Sequence, residues 1–195
     1  EGAEQVATQA GEVDLLINNY GVAEGGDWRS TTDDWIDLYQ KNVLSAVRMV
    51  QHLSPGMRER GFGRIVFLAT VGTVRPAARM PHYYASKATL PNLTASLAKE
   101  LAGTGITVNC VSPGIVATDE IKASFTRRAE KRGLPTDWAS VQELMLEEFM
   151  PNPTGHVGTP DEVGALVAYL CSPQAAYLNA ANLPFDGGAA DAVRA

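Results

Sequence analysis

Short apolar runs alternate with longer amphipathic segments along this 195-residue chain. Four runs have the length and composition of strands: VDLLIN at 13–18, IVFLAT at 65–70, ITVNCVS at 106–112 and NLPF at 182–185. Most of the segments between them repeat apolar residues at the three- and four-residue spacing of a helix that buries one face. Strands that alternate with helices in this way predict an α/β fold built on a parallel sheet.

The composition is that of an ordinary globular protein and excludes several classes of function. Hydrophobic residues make up 45% and charged residues 19%, and the length suits one domain, residues 1–195. A net charge of −6 argues against a nucleic-acid partner. No apolar run approaches the ~20 residues of a membrane span and no signal-peptide pattern is present, so we expect no membrane partner and a cytoplasmic location.

The cysteines and histidines show no metal-ligand spacing, so we predict no metal site. Cys110 lies in a strand-like run and Cys171 at the end of a predicted helix. Two buried thiols are therefore expected rather than a disulfide.

The segment HYYASKATLPNL, residues 82–93, contains the most informative pair of side chains. Tyr83 and Lys87 are four residues apart, so on a helix they stand one turn above each other on one face. An ammonium beside a phenol lowers the phenol pKa from about 10, which suits the phenol to proton transfer at neutral pH. The same spacing occurs by chance in many amphipathic helices, so the pair alone leaves both interpretations open.

Polar residues follow the first two predicted strands, at the end where open α/β sheets bind their ligands. Asn18, Asn19 and Gly21 belong to the NNYG motif that closes the first strand, and Thr70 closes the second. Two Asn side chains here can bond neighbouring strands and hold the backbone open for a ligand. An ordinary Asn turn is the alternative.

The segment 31–61 has the pattern of one long helix with a polar residue in its apolar stripe. Thr31 is a predicted N-cap, and Pro55 is expected to kink or break the helix. Asn42 stands in the stripe where an apolar residue belongs. Because a buried amide needs hydrogen-bond partners, Asn42 is either a structural hydrogen-bonding residue or part of a site.

A long insertion separates the third strand from the helix that Thr159 is predicted to cap. Its large apolar residues are Phe125, Trp138, Met145, Phe149 and Met150. So long an excursion from a compact sheet is usually functional, and we interpret residues 119–157, approximately, as a lid-like helical insertion. An extra pair of helices that covers the core is the alternative.

Together and in this order, the motifs resemble those of the short-chain dehydrogenase/reductase family. They are Asn18-Asn19-Tyr20-Gly21, Asn42, Thr70, Tyr83 with Lys87, Pro113-Gly114 through Thr118, and Asp186-Gly187-Gly188. Thr70 lies thirteen residues before Tyr83, which is the serine-to-tyrosine spacing of the family, so Tyr83 rather than Tyr84 matches its tyrosine. The resemblance covers essentially the whole chain. It implies a Rossmann-type, doubly wound parallel sheet in a three-layer α/β/α arrangement.

The resemblance implies hydride transfer between NAD or NADP and a small-molecule carbonyl or secondary alcohol. Tyr83 would exchange a proton with the substrate oxygen. Lys87 would lower the pKa of Tyr83 and bind the ribose of the nicotinamide. Asn42 would anchor a water that links Lys87 to solvent, and Thr70 would donate a hydrogen bond to the substrate oxygen. The implied catalytic residues are thus Asn42, Thr70, Tyr83 and Lys87.

The resemblance also implies a set of cofactor-binding residues. This set is Asn18, Asn19, Gly21, Tyr83, Lys87, Pro113, Gly114, Val116 and Thr118. The NNYG motif would lie beside the adenosine ribose, with the Val116 backbone and the Thr118 hydroxyl near the carboxamide of the nicotinamide. The aromatic and methionine residues of the insertion suggest an apolar substrate. Family members usually pair through their two long helices, so a homodimer or homotetramer is expected.

Three departures from the family pattern bear on these expectations. Thr70 replaces the usual Ser and keeps the hydroxyl on a stiffer, bulkier side chain. Tyr20 replaces the usual Ala, which either crowds the cofactor edge or turns the ring outward. The Gly-rich first turn and the residue that selects NAD or NADP are missing, so an N-terminal βαβαβ part of roughly 60–70 residues is expected upstream. A catalytically silent binding or oligomerisation module is the alternative to an enzyme.

Overall fold

The four strands pair in chain order, β1-β2-β3-β4, and every pairing is parallel. They are β1 (Leu15–Asn18), β2 (Gly63–Leu68), β3 (Ile106–Pro113) and β4 (Asn182–Phe185). The computed structural model describes residues 2–190. Glu1 and residues 191–195 of the predicted domain lie outside the described residues. The four apolar runs of the sequence are the four strands, and the predicted parallel α/β fold is confirmed.

Helices cover both faces of the sheet. They are α1 (Gly2–Ala10), α2 (Thr32–Tyr39), α3 (Ser45–Arg60), α4 (Pro81–Glu100), α5 (Asp119–Lys131), α6 (Trp138–Glu148) and α7 (Pro160–Cys171). Successive strand residues point to opposite faces. Ile65 and Phe67 of β2 therefore pack in the main core with α3 and α4, whereas Val66 and Leu68 pack with Leu170 of α7. No helix within residues 2–190 combines the length and hydropathy needed to cross a membrane.

Strand β1 is half exposed, although its sequence is as apolar as that of a buried strand. Leu16 packs in the main core, whereas Leu15 and Ile17 are 46% and 40% exposed. Helix α3 covers one face of β1, but α7 packs over β2 and β3 and leaves the other face of β1 largely open. A strand of a parallel sheet is fully buried only when helices cover both of its faces.

The predicted long helix at 31–61 is divided by a π-helical turn, Gln40–Leu44. Thr31 caps α2 as predicted: its Oγ1 accepts a hydrogen bond from the Asp34 N–H, and the Asp34 carboxylate accepts one from the Thr31 N–H. Helix α3 continues through Pro55 to Arg60, so the helix is not broken at this residue, and a kink there stays a prediction. The interruption is instead the π turn, a feature found frequently at functional sites.

Helices α5 and α6 form a hairpin within the predicted insertion and have a small core of their own. Ala129, Val141 and Met145 are fully buried in it. An ion pair of 2.8 Å between Arg132 and Glu148 also joins the two helices. The helical pair therefore buries its own apolar cluster, and its function as a lid stays a prediction.

The two thiols differ in burial. Cys110 is fully buried in β3, whereas Cys171 at the end of α7 is only partly buried, and both are free. Within residues 2–190 no group of three or more His, Cys, Asp or Glu side chains could hold a metal ion.

Candidate active site

A cavity of ≈ 450 Å³ opens at the carboxyl ends of β1, β2 and β3. Its lining includes seven of the residues predicted for catalysis or cofactor binding: Asn19, Gly21, Tyr83, Lys87, Pro113, Val116 and Thr118. Val163 and Val167 of α7 form part of the apolar wall. Residues that are far apart in the sequence meet here because parallel strands place all their carboxyl ends at one edge of the sheet.

Lys87 is buried beside the cavity with 5% of its surface exposed. Its Nζ donates a hydrogen bond of 2.8 Å to the backbone oxygen of Leu68, at the end of β2. Burial lowers the pKa of Lys87 to about 8, because the ammonium loses most of its hydration. A Cβ on Gly21 would lie 2.7 Å from this Nζ, so the NNYG turn passes close to the ammonium and any larger residue would push a side chain aside.

Tyr83 borders the same cavity, one turn before Lys87 on α4, and Thr70 is close enough to influence its phenol. Burial raises the pKa of Tyr83, and the Thr70 hydroxyl lowers it by a smaller amount. The prediction that Lys87 lowers the pKa of Tyr83 is wrong for this structure. The cost of burying a phenolate is larger, and the ammonium is bonded to the Leu68 carbonyl.

Asn42 lies in the π turn and holds three polar groups of two neighbouring segments. Its Oδ1 accepts from the Val22 N–H at 2.7 Å, and its Nδ2 donates to the Val22 oxygen and to Ser86 Oγ, both at 3.0 Å. Ser86 Oγ in turn donates to the backbone oxygen of Tyr83 at 2.8 Å. Asn42 is therefore a structural hydrogen-bonding residue, which is the first of its two predicted roles. It lies next to the residues of the site.

Ser86 is a member of this network that the sequence analysis missed. It is buried, and its hydroxyl connects Asn42 with α4 at the level of Tyr83. Its position in the sequence could have identified it, because Ser86 follows Tyr83 by three residues and the two therefore lie on neighbouring turns of one helix.

Asn18 is predicted to bind the cofactor but does not line the cavity. The pleat of β1 points its side chain away from that of Asn19, into a separate groove bordered by α1 and α3. Its Nδ2 is buried and has no partner among residues 2–190. Tyr20 is 62% exposed, so its ring is turned outward, which is the second of its two predicted arrangements.

The segment after β3 supplies the opposite wall of the cavity. Pro113, Val116 and Thr118 line it, and Thr118 also caps α5 by accepting a hydrogen bond of 3.3 Å from the Ile121 N–H. Gly114 does not reach the cavity. A Cβ on it would lie 2.8 Å from Met150 Sδ, so its role in the structure is close packing.

Comparison with known proteins identifies related sequences over nearly the whole chain. The family profile described as Enoyl-(Acyl carrier protein) reductase matches residues 1–190. Acetoacetyl-CoA reductase of Cupriavidus necator is 31% identical over 187 residues, which are 95% of this chain and 69% of that protein. The 3-oxoacyl-[acyl-carrier-protein] reductase of Vibrio cholerae is 32% identical over 184 residues, 94% of this chain and 69% of that protein.

Solved structures agree with the sequence relatives. L-sorbose reductase from Gluconobacter frateurii, solved with NADPH and L-sorbose, is 28% identical with a TM-score of 0.88. The match covers 98% of this chain and 72% of that one. The NADPH-dependent reductase YwfH is 26% identical with a TM-score of 0.84, again over 98% and 72% of the two chains. The chain therefore belongs to the short-chain dehydrogenase/reductase family and is an NAD(P)-dependent oxidoreductase.

Proposed function

We propose that this protein reduces the carbonyl group of a small molecule, or oxidises the corresponding alcohol, with Tyr83 as the proton donor and acceptor. One observation carries the proposal: Tyr83 and the buried ammonium of Lys87 border one cavity, with Thr70 near the Tyr83 phenol. Burial raises the pKa of Tyr83, so the phenol is protonated at neutral pH. A protonated phenol is the form that donates to a substrate oxygen during reduction.

The residues around the cavity suit a nicotinamide dinucleotide. When bound, the nicotinamide supplies or accepts the hydride. Lys87 would bind the ribose, where Gly21 leaves room by having no Cβ. The Val116 backbone and Thr118 would hold the carboxamide; Thr118 Oγ1 only accepts in its capping bond, so its proton is available for donation. Asn19 would lie near the adenosine ribose.

The remaining proposed catalytic residues prepare Tyr83 for proton transfer. Thr70 Oγ1 accepts a hydrogen bond of 3.2 Å from the Gly72 N–H, which leaves its own proton free to stabilise a substrate oxygen. Lys87, with a pKa of about 8, would supply positive charge beside Tyr83 and help to restore its proton. Asn42 would hold the turn at Val22 and anchor a water between Lys87 and solvent.

The insertion would act as a lid over an apolar substrate. Phe125 and Phe149 pack edge to face, with ring centroids 5.0 Å apart. Met150 follows them, and its Sδ accepts a hydrogen bond of 3.1 Å from the Ile115 N–H, inside the segment that lines the cavity. A movement of the lid would thus reach the cavity wall directly. Acyl ketones of the 3-oxoacyl type, for which acetoacetyl-CoA reductase and 3-oxoacyl-[acyl-carrier-protein] reductase are named, are the first compounds to assay.

We also propose a homodimer or homotetramer that pairs through α3 and α4. Ala85 and Ala88 are exposed on α4 and would allow two such helices to approach closely. A cytoplasmic location stays a prediction from the sequence.

Turnover by Tyr83→Phe tests the proposal. The variant keeps the ring and removes only the hydroxyl, so kcat with NADH or NADPH and an acyl ketone should fall about 10²–10⁴-fold while cofactor binding persists. Tyr177→Phe is the matched control, because Tyr177 is fully exposed. Equal turnover in wild type and Tyr83→Phe would exclude Tyr83 as the acid. A wild-type protein that binds either cofactor but turns over none of the ketones would favour the silent module.

A further inference from the structure

Tyr84, the residue after the proposed acid, touches both Tyr83 and the loop that carries Thr70. Its ring lies edge to face with the ring of Tyr83, with centroids 5.3 Å apart and an interplanar angle of 63°. The same ring covers Gly72, where a Cβ would overlap Cδ1 and Cε1 of Tyr84. Tyr84 is thus in contact with both sides of the Tyr83–Thr70 pair.

Position 72 needs a glycine because there is no space for a side chain, and not because of its backbone conformation. Its φ lies outside the left-handed region, so an alanine could adopt the same backbone. Only the ring of Tyr84 prevents this substitution, since the next nearest atom, Thr70 Cγ2, is at an ordinary 3.4 Å. The ring of Tyr84 therefore occupies the space that a side chain at position 72 would need.

The contact with Gly72 reaches the Thr70 hydroxyl through one hydrogen bond. The Gly72 N–H donates to Thr70 Oγ1 at 3.2 Å, at the start of the short 3-10 turn Val71–Thr73. This bond restricts the orientation of the hydroxyl, which is close enough to Tyr83 to lower the pKa of its phenol. Tyr84 and Gly72 therefore connect Tyr83 with Thr70 through a ring contact, a close approach and one hydrogen bond.

We propose that Tyr84 is a positioning residue, which holds the Thr70 hydroxyl and the Tyr83 phenol at a fixed separation through its contact with Gly72. The proposal rests on the proposed function for its catalytic consequence. An aromatic ring suits this task, because it has only two side-chain torsions and prefers the edge-to-face arrangement seen here. Tyr84 also helps to raise the pKa of Tyr83, after the larger effect of burial.

Four variants separate a positioning role of Tyr84 from a role in packing alone. Tyr84→Ala removes the support, and kcat should fall about 10- to 100-fold with little change in the KM for cofactor. Gly72→Ala pushes the ring aside and should cause a similar fall. The double variant Gly72→Ala/Tyr84→Ala gives the new methyl group the space of the missing ring, so its loss should be clearly smaller than the product of the two single losses. Tyr84→Phe keeps the ring and should restore most of kcat.

A second readout needs neither cofactor nor turnover. The Tyr83 phenol can be titrated by tyrosinate absorbance in the ligand-free chain, with the same variant carrying Tyr83→Phe as the background. Tyr84→Ala lets water reach Tyr83, so the pKa of Tyr83 should fall toward its ordinary value. Should Tyr84→Ala fail to fold, Tyr84→Leu retains bulk without the flat ring and is expected to lower the pKa and kcat in the same direction.

Two results would overturn the inference. One is wild-type kcat together with an unshifted Tyr83 titration in Tyr84→Ala. The other is a double variant whose loss equals the product of the single losses, since Gly72 and Tyr84 would then act independently. Failure of the proposed function is a separate outcome: Tyr83→Phe would be fully active, while the titration of Tyr83 in the Tyr84 and Gly72 variants would still report the contact.

Discussion

The Nζ of Lys87 is bonded to the backbone oxygen of Leu68 at 2.8 Å, and not to the phenol one turn before it. The bond holds a buried cation at the end of β2, beside the cavity. A single neutral carbonyl offsets little of the hydration that an ammonium loses, which is why the pKa of Lys87 is lowered. This arrangement affects stability, pH dependence and catalysis.

Lys87→Met should stabilise the fold at pH 7. The folded pKa of about 8 lies below the ordinary 10.5, so between these values the unfolded chain binds more protons and the free energy of unfolding rises with pH. The gap corresponds to about 3 kcal/mol at most, so Lys87→Met should gain about 1–3 kcal/mol at pH 7. Urea unfolding at pH 7 and above pH 10.5 measures this, and a difference that does not shrink at the higher pH would contradict it.

The same variant tests the proposed catalytic role of Lys87. Lys87→Met should remain folded, lose turnover and bind either cofactor more weakly, because the cation beside Tyr83 and the ribose is gone. The pH dependence of any residual reduction is the decisive measurement. An unchanged pH–rate profile would remove the role assigned to Lys87.

Substitutions of Thr70 test the donor at the reacting centre. Thr70→Ala should lose about 10²–10³ in kcat, roughly 3–4 kcal/mol, as expected when such a donor is removed. Thr70→Ser keeps the hydroxyl and should stay within about tenfold, below ~1.4 kcal/mol. Thr70→Val is the sharpest control, because it keeps the shape and removes only the hydroxyl. Wild-type turnover in Thr70→Val would make Thr70 a packing residue.

Gly21→Ala should disturb the site without replacing any of its proposed catalytic side chains. The new Cβ would lie 2.7 Å from Lys87 Nζ and 2.9 Å from Asn42 Oδ1, so one of these side chains must move. Overpacking of this kind typically costs about 1–3 kcal/mol, and cofactor binding should weaken as well. Gly25→Ala is the matched control in the following loop, where a Cβ meets nothing within 4 Å. Equal cofactor affinity in the two variants would show that the approach at Gly21 is not needed.

The proposed assembly can be measured directly in solution. X-ray scattering at micromolar concentration should give the mass of a dimer or tetramer. Ala88→Arg places a long cation on the exposed face of α4 and should shift the protein toward the monomer. A clean monomer for the unsubstituted protein would count against pairing through α3 and α4.

The amino-acid sequence by itself determined the strands, the parallel sheet and the main caps. Thr31 and Thr159 cap their helices as predicted, and Tyr83 and Lys87 lie one turn apart on α4. These features depend on residues within four positions of one another or on a repeating apolar pattern, so they can be inferred without knowing which segments meet.

Only the tertiary structure decided where the polar groups of the site find their partners. The bonds from Lys87 to Leu68 and from Asn42 to Ser86 join residues 19 and 44 positions apart. The raised pKa of Tyr83 depends on how many segments exclude water from its phenol, and the match between Gly72 and Tyr84 depends on two backbones packing together. Burial and contact are properties of segments that meet in space, and the local spacing of residues does not determine them.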